Sequence, residues 1–227
     1  MLRIDRLKSG ALPPLSFEVA GGECLAVEGP SGAGKTRLLR AIADLEPASG
    51  HVFLDGVERG EVTAAAWRKD VRFCAAEPAW WTPTVRPVLE RLGLETRAGA
   101  GLTAARSNPA RSGTIGARCE RLLSSLGLNP LLIDRPIAAL STGERQRLAL
   151  VRALVDDPKV VLLDEPTASL DAASGALVEE LVKFLLLSGR SIVLVSHDGR
   201  QIERLAHARL QLSAVEPPHP LPSEARP

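Results

Sequence analysis

The segment GPSGAGKT, Gly29–Thr36, fits the spacing GxxxxGK[ST] and stands between the apolar stretch CLAVE and a run of helical pattern. Glycines at those positions let the backbone curl until successive N–H groups face one anion. The pattern predicts a phosphate cradle made by Gly29, Pro30, Ser31, Gly32, Ala33 and Gly34, with Lys35 reaching the outer phosphates and Thr36 ligating magnesium. The N-terminus of the following helix adds a positive dipole end. A second reactive stretch is VVLLDEP, Val160–Pro166, where an unbroken apolar run ends in two carboxylates. A carboxylate at the C-terminal end of a buried parallel strand lies beside such a loop, which places Asp164 to hold magnesium. Glu165 is then a second carboxylate, poised to orient and polarise an attacking water. The pair predicts hydrolysis of ATP rather than transfer of a phosphoryl group to another acceptor.

These residues need elements that bring them together. Leu2–Leu7, Leu15–Val19 and Cys24–Glu28 read as short strands separated by Pro13-Pro14 and Gly21-Gly22. A helix is expected over Lys35–Asp44, and HVFLDG ends in an Asp-Gly pair that favours a hairpin. Residues 82–137 differ in character, with helices expected near Val85–Leu92 and Ala117–Leu126 around a loose Ala/Ser/Arg/Gly stretch, and read as an inserted helical lobe. From Gly143 a helical stripe of Leu148, Val151 and Val155 leads into KVVLLDEP, whose lack of polar alternation suits a central strand buried on both faces. A helix near Ala173–Leu187, the strand SIVLVS, a helix near Gly199–Ala206 and a short strand near Ala208–Leu212 follow. The alternation predicts an α/β fold with a mostly parallel central sheet behind an N-terminal antiparallel β portion. Residues 1–214 read as one domain, and the proline-rich stretch 215–227 as a flexible tail.

Composition bounds the remaining choices. A chain of 227 residues with 45% apolar and 24% charged residues is long enough for one well-packed domain. Its net charge of +1 argues against nucleic acid as the main partner, because a phosphate backbone is bound through an excess of Lys and Arg. Cys24, Cys74 and Cys119 show neither metal-site nor disulfide spacing and read as reduced, buried thiols. The N-terminus MLRIDRLKSG carries charges where a signal peptide has an apolar core, and no apolar run has spanning length, so a cytoplasmic protein is expected.

The stretch LSTGERQR, Leu140–Arg147, followed by LLDEPTASLD and VSHD in this order after a phosphate loop, resembles the ATP-binding cassette family of ATPases over about Leu2 to Leu212. The resemblance implies a P-loop NTPase core in which one subunit's signature closes over the ATP held by the other's phosphate loop. Ser141 and the backbone around Gly143 would then be γ-phosphate donors in trans. Thr142 stands at the commoner first glycine of the signature. Asp171, in SLD, would communicate across the dimer, and His197, in SHD, would contact the γ-phosphate and help to position the water. ATP and Mg2+ are the implied ligands. The implied partners are a second cassette, two identical copies being favoured by the complete hydrolytic motifs, and an integral-membrane permease that would hold the subunit at the cytoplasmic face. The alternatives are a soluble cassette ATPase without a permease and a regulatory cassette with weak hydrolysis.

Three departures from the family pattern stand out. FCAAEPAWW places Ala76 where the family carries a glutamine, with Glu77 next to it as a substitute magnesium ligand. No aromatic residue is evident to stack on adenine: the chain has no tyrosine, and Phe17 in LSFEV suits a core strand. Trp80 and Trp81 follow the altered junction, either as anchors of the lobe or as a contact surface for the membrane subunit.

Overall fold

The computed structural model describes residues 1–91 and 115–213, so the expectations for the loose stretch 93–114 and for the tail 215–227 lie outside the described residues. Alternating apolar and polar residues make half-buried strands of β1 (Leu2–Lys8) and β2 (Leu15–Val19), while the apolar CLAVE makes β3 (Cys24–Glu28) a buried one. Helix α1 (Lys35–Ile42) stops short of the expected Asp44, whose φ of +59° is left-handed and cannot continue a right-handed helix. Strands β4 (Ser49–Leu54) and β5 (Val57–Glu58) form the hairpin that the Asp-Gly pair predicts, with φ of +51° at Asp55 and +86° at Gly56.

Helix α2 (Ala64–Asp70) begins where Thr63 Oγ1 accepts from the Ala66 N–H, and it runs straight into β6 (Val71–Cys74). Neither was legible in the sequence. Helices α3 (Arg86–Arg91) and α4 (Ile115–Ser125) lie close to those expected in the lobe. The second half then alternates: α5 (Thr142–Leu154), β7 (Val160–Asp164), α6 (Ala172–Leu187), β8 (Ser191–Val195), α7 (Gly199–Leu205) and β9 (Ala208–Gln211).

The strands form two sheets. One is antiparallel, in the order β2-β1-β4-β5, and the other is parallel, in the order β6-β7-β8-β3-β9. Along β7 every residue is buried, and the pleat sends Val161 and Leu163 into one core cluster and Val160 and Leu162 into the other. The first cluster lies under α4, α5 and α6, and the second between the parallel sheet, α1 and β1. Each fully buried Leu or Val there contributes about 1.5–3 kcal/mol, which makes the parallel sheet the rigid floor on which the loops stand. Because its strands all point the same way, the loops after β3, β7 and β8 emerge on one edge, side by side.

All three cysteines are free and buried, and burial pushes the Cys24 and Cys74 thiols up to about 12. The two tryptophans after β6 differ in exposure. Trp80 packs against the first cluster, whereas Trp81 is 63% exposed. The Arg152 guanidinium lies 4.5 Å from the centre of the Trp80 ring and 5.0 Å from that of Trp81, and donates to the Ala79 carbonyl at 2.9 Å.

Candidate functional site

The loop after β3 turns on two glycines that no other residue replaces without strain. Gly29 has φ of +149°, and a Cβ there would come within 2.6 Å of the Leu212 carbonyl oxygen. Gly34 has φ of +90°, and a Cβ there would meet Leu12 at 2.6 Å. Gly34 is also the cap of α1, which has no side-chain cap and no acidic residue in its first turn. Its leading N–H groups are therefore left for an anion. Lys35 is buried, and its Nζ donates to the carbonyls of Gly29 at 2.7 Å and Pro30 at 3.1 Å. The ammonium closes the cradle from inside.

On the same helix, one residue on, Thr36 Oγ1 donates to Asp164 Oδ2 at 2.7 Å across 128 residues of sequence. Asp164 is only 5% exposed at the end of β7. This pair of hard oxygens suits magnesium, which takes one or two protein oxygens and keeps water or phosphate oxygens in its other positions. Among the described residues no cluster of three or more His, Cys, Asp or Glu side chains is assembled, so the pair is not part of an all-protein metal cage.

Glu165 follows Asp164 with φ of +48°, a left-handed conformation that costs a non-glycine residue about 1–3 kcal/mol. Two hydrogen bonds hold its peptide there. Its N–H donates to the Val195 carbonyl at 2.9 Å, and its own carbonyl accepts from Gln146 Nε2 at 2.9 Å. The side chain thereby turns toward the loop after β8. Glu165 Oε2 accepts from the His197 N–H at 3.3 Å, and Oε1 lies 3.5 Å from His197 Nε2. That Oε1 is buried without a hydrogen bond of its own, a costly state for a carboxylate oxygen. Burial raises the Glu165 carboxyl above the ordinary glutamate range, with the His197 N–H opposing the shift and Asp164 adding to it. The His197 side chain is 66% exposed at the rim.

These residues line one cleft of about 470 Å³, in which Ser31, Gly32, Gly34, Lys35 and Thr36 face Asp164, Glu165 and His197. Arg37, Arg40 and Glu46 line it as well. The structure thus brings together Lys35, Thr36, Asp164, Glu165 and His197 as expected from their motifs. It does not bring in Glu77, which is exposed and does not line the cleft.

Ser141, Gly143 and Asp171 also stand outside it. Ser141 caps α5 through a reciprocal box: its Oγ accepts from the Glu144 N–H at 3.1 Å, and Glu144 Oε2 accepts from the Ser141 N–H at 2.7 Å. Gly143 packs against the next loop, a Cβ there meeting Leu170 at 3.2 Å. Asp171 caps α6, accepting from the Ser174 N–H and Oγ at 2.9 Å each. The Ser174 N–H holds the Asp171 carboxyl below the usual range.

Gln146 was missed by sequence reasoning. It is 3% exposed, one turn into α5, with Oε1 buried and unpaired. Between two arginines in ERQR it reads as a solvated face, and only its tertiary contact with the Glu165 carbonyl sets it apart. Gln201 is a similar case, buried and donating to Thr167 Oγ1 at 3.0 Å in the loop after Glu165.

Comparison with known proteins places this geometry among relatives. Residues 12–168 match the family model described as ABC transporter. The chain is 39% identical over 210 residues to Protein STAR1 of Oryza sativa subsp. japonica, covering 92% of this chain and 57% of that protein. It is 39% identical over 198 residues to the sulfate/thiosulfate import ATP-binding protein CysA of Caulobacter vibrioides, covering 86% of this chain and 56% of that protein. It therefore spans a little over half the length of these two relatives. Among solved structures, a dimeric structure of MJ0796, a bacterial ABC transporter cassette, superposes with a TM-score of 0.75 at 24% identity, covering 96% of this chain and 97% of that one. That likeness shows the fold.

Proposed function

Because the chain belongs to the ABC transporter family, we propose that it is the ATP-hydrolysing subunit that drives a separate membrane permease. The observation that carries the chemistry is the buried Glu165 Oε1, which lacks a hydrogen bond, beside a phosphate loop and the Thr36–Asp164 pair. ATP is the substrate. Lys35 and the N–H groups of Gly29–Thr36 hold its phosphates, while Thr36 and Asp164 hold Mg2+. Magnesium bound there supplies charge neutralisation to the phosphate oxygens. Glu165 Oε1 takes a proton from the attacking water as the water oxygen bonds to the γ-phosphorus and the bond to the bridging oxygen breaks, giving ADP and phosphate. His197, whose Nε2 lies 3.5 Å from that same oxygen, orients the water. Residues 1–214 act as one domain with a helical lobe at 82–137.

Closure of two identical copies would bring Ser141 and Gly143 of one chain onto the ATP of the other, with Asp171 at the shared boundary. This division of labour accounts for their position outside the chain's own cleft. The permease proposal draws on CysA, whose name describes an import ATP-binding protein. Among the described residues no helix is long and apolar enough to cross a membrane, so attachment to the cytoplasmic face would go through the partner. Exposed Trp81 is the surface residue we assign to that contact. One observation favours a second reading, a regulatory cassette of weak turnover: Ala76 brings no side-chain oxygen, and Glu77 does not face the cleft in its place.

The experiment for the transport reading is recovery of tagged Glu165→Gln protein from solubilised membranes of its own cells with ATP and magnesium. A polytopic membrane protein in fixed ratio is the expected result. Recovery from the soluble fraction alone, or with ribosomes or DNA, would overturn it.

A pH profile tests the base. Glu165 must be ionised to accept a proton, and burial raises its pKa, so acidification should remove the base at a higher pH than for an ordinary glutamate. The acid limb of kcat should have its midpoint above 4.5, the unperturbed value. A midpoint at or below it would exclude Glu165 from that role.

A further inference from the structure

We infer that the guanidinium of Arg37 is the platform on which the purine ring of the nucleotide stacks, in place of an aromatic side chain. The inference rests on reading the cleft as an ATP site and concerns the place of the base. With the phosphates in the Gly29–Thr36 loop, the base must lie against the other residues that line the cleft. Asp164, Glu165 and His197 are taken up, on that reading, by magnesium and the attacking water. Arg37, Arg40 and Glu46 line the cleft as well.

No phenylalanine or tryptophan lines the cleft among the described residues, and Phe17 is packed in the antiparallel sheet against the second core cluster. Besides the His197 imidazole, assigned above to the attacking water, the planar side chains among the lining residues are the guanidinium groups of Arg37 and Arg40. The Nε of Arg40 is committed to Glu46 Oε2 by a hydrogen bond at 3.2 Å. Arg37, 46% exposed, is held by the same carboxylate at a looser 3.4 Å.

What sets Arg37 apart is the ground beneath it. A Cβ on Gly10 would lie 2.5 Å from Arg37 Nη1 and 3.1 Å from its Cζ, so the guanidinium lies directly against that loop. Gly10 also has φ of +54°, which disfavours any side chain there. Two residues on, Leu12 abuts Gly34 of the phosphate loop, so the loop that seats Arg37 is braced against the cradle. Glu46 offsets the charge of the two arginines, which stay 46% and 44% exposed beside it. A planar guanidinium stacks face to face on a ring, whereas an ammonium is a compact, strongly hydrated point charge, which separates stacking from charge.

The test is calorimetric titration of the full chain with ATP and with inorganic tripolyphosphate, both with magnesium, for the wild type and for Arg37→Ala, Arg37→Lys and Arg37→Tyr. Stacking of one base predicts that Arg37→Ala weakens ATP binding roughly 5- to 30-fold and leaves tripolyphosphate within about twofold. Arg37→Lys should bind ATP as weakly as the alanine variant, and Arg37→Tyr should recover most of the loss. ATP affinity unchanged in Arg37→Ala, retained in Arg37→Lys, or lost in parallel with tripolyphosphate would each overturn the platform and leave the ATP site standing. A wild-type chain that binds tripolyphosphate but gains nothing from the nucleoside would also overturn it. Failure of the wild type to bind either ligand would overturn the ATP reading and the platform together.

Discussion

Glu165→Gln is expected to bind ATP within about threefold of the wild type while losing roughly 10²- to 10⁴-fold in turnover, the usual contribution of a positioned general base. The substitution is nearly isosteric. An amide oxygen at the Oε2 position can still accept from the His197 N–H, and the Gln146 and Val195 hydrogen bonds involve only the backbone of residue 165. It also removes a charge that burial disfavours. What it removes besides is the proton acceptor, since an amide has no comparable basicity. Phosphate release in steady state, set beside calorimetric ATP affinity, gives both quantities. Near-native turnover would reject Glu165 as the base and leave the carboxylate a structural role only.

The second large effect belongs to Lys35 and should take a different form. Its Nζ holds two carbonyls of the cradle, at 2.7 and 3.1 Å, from a buried position. Lys35→Ala also removes the charge-assisted contact that this ammonium would make to the phosphates, worth about 1.5–3 kcal/mol, so affinity for ATP should fall roughly 10- to 150-fold. Turnover falls as well, because the same ammonium would face the outer phosphates in the transition state. The two variants therefore separate in a plot of affinity against turnover: Glu165→Gln moves along one axis, Lys35→Ala along both. Unchanged ATP affinity in Lys35→Ala would place the phosphates elsewhere.

Much of this was legible in local pattern. The unbroken VVLLD announced a strand buried on both faces, Asp55-Gly56 announced its hairpin, and GPSGAGKT with LLDEP announced the two halves of the cleft. Signals that depend on distant partners were not legible. The four residues of β6 include a polar Arg72 and gain their identity from pairing with β7, some ninety positions away. Asp44 ends α1 by adopting a left-handed conformation without the glycine that usually advertises one. Trp80 and Trp81 are chemically alike and adjacent, yet one packs inward and the other outward, with Arg152 over both. Gln146 and Arg37 look like ordinary polar positions on exposed helix faces until the Glu165 carbonyl and the Gly10 backbone are seen beside them.

The hydrogen bond from Gln146 to the Glu165 carbonyl joins the helix that begins at Ser141 to the carboxylate of the same chain. In the assembly proposed above, those two ends serve different nucleotides. A displacement of α5 on engaging the neighbour's ATP would then be felt at the chain's own base, and a change at that base would be returned to the neighbour. Such a link obeys thermodynamic reciprocity: whatever factor occupancy of one pocket applies to affinity at its twin, the twin must apply in return. The two pockets would accordingly behave as a single cooperative unit, with a Hill coefficient for ATP departing from one.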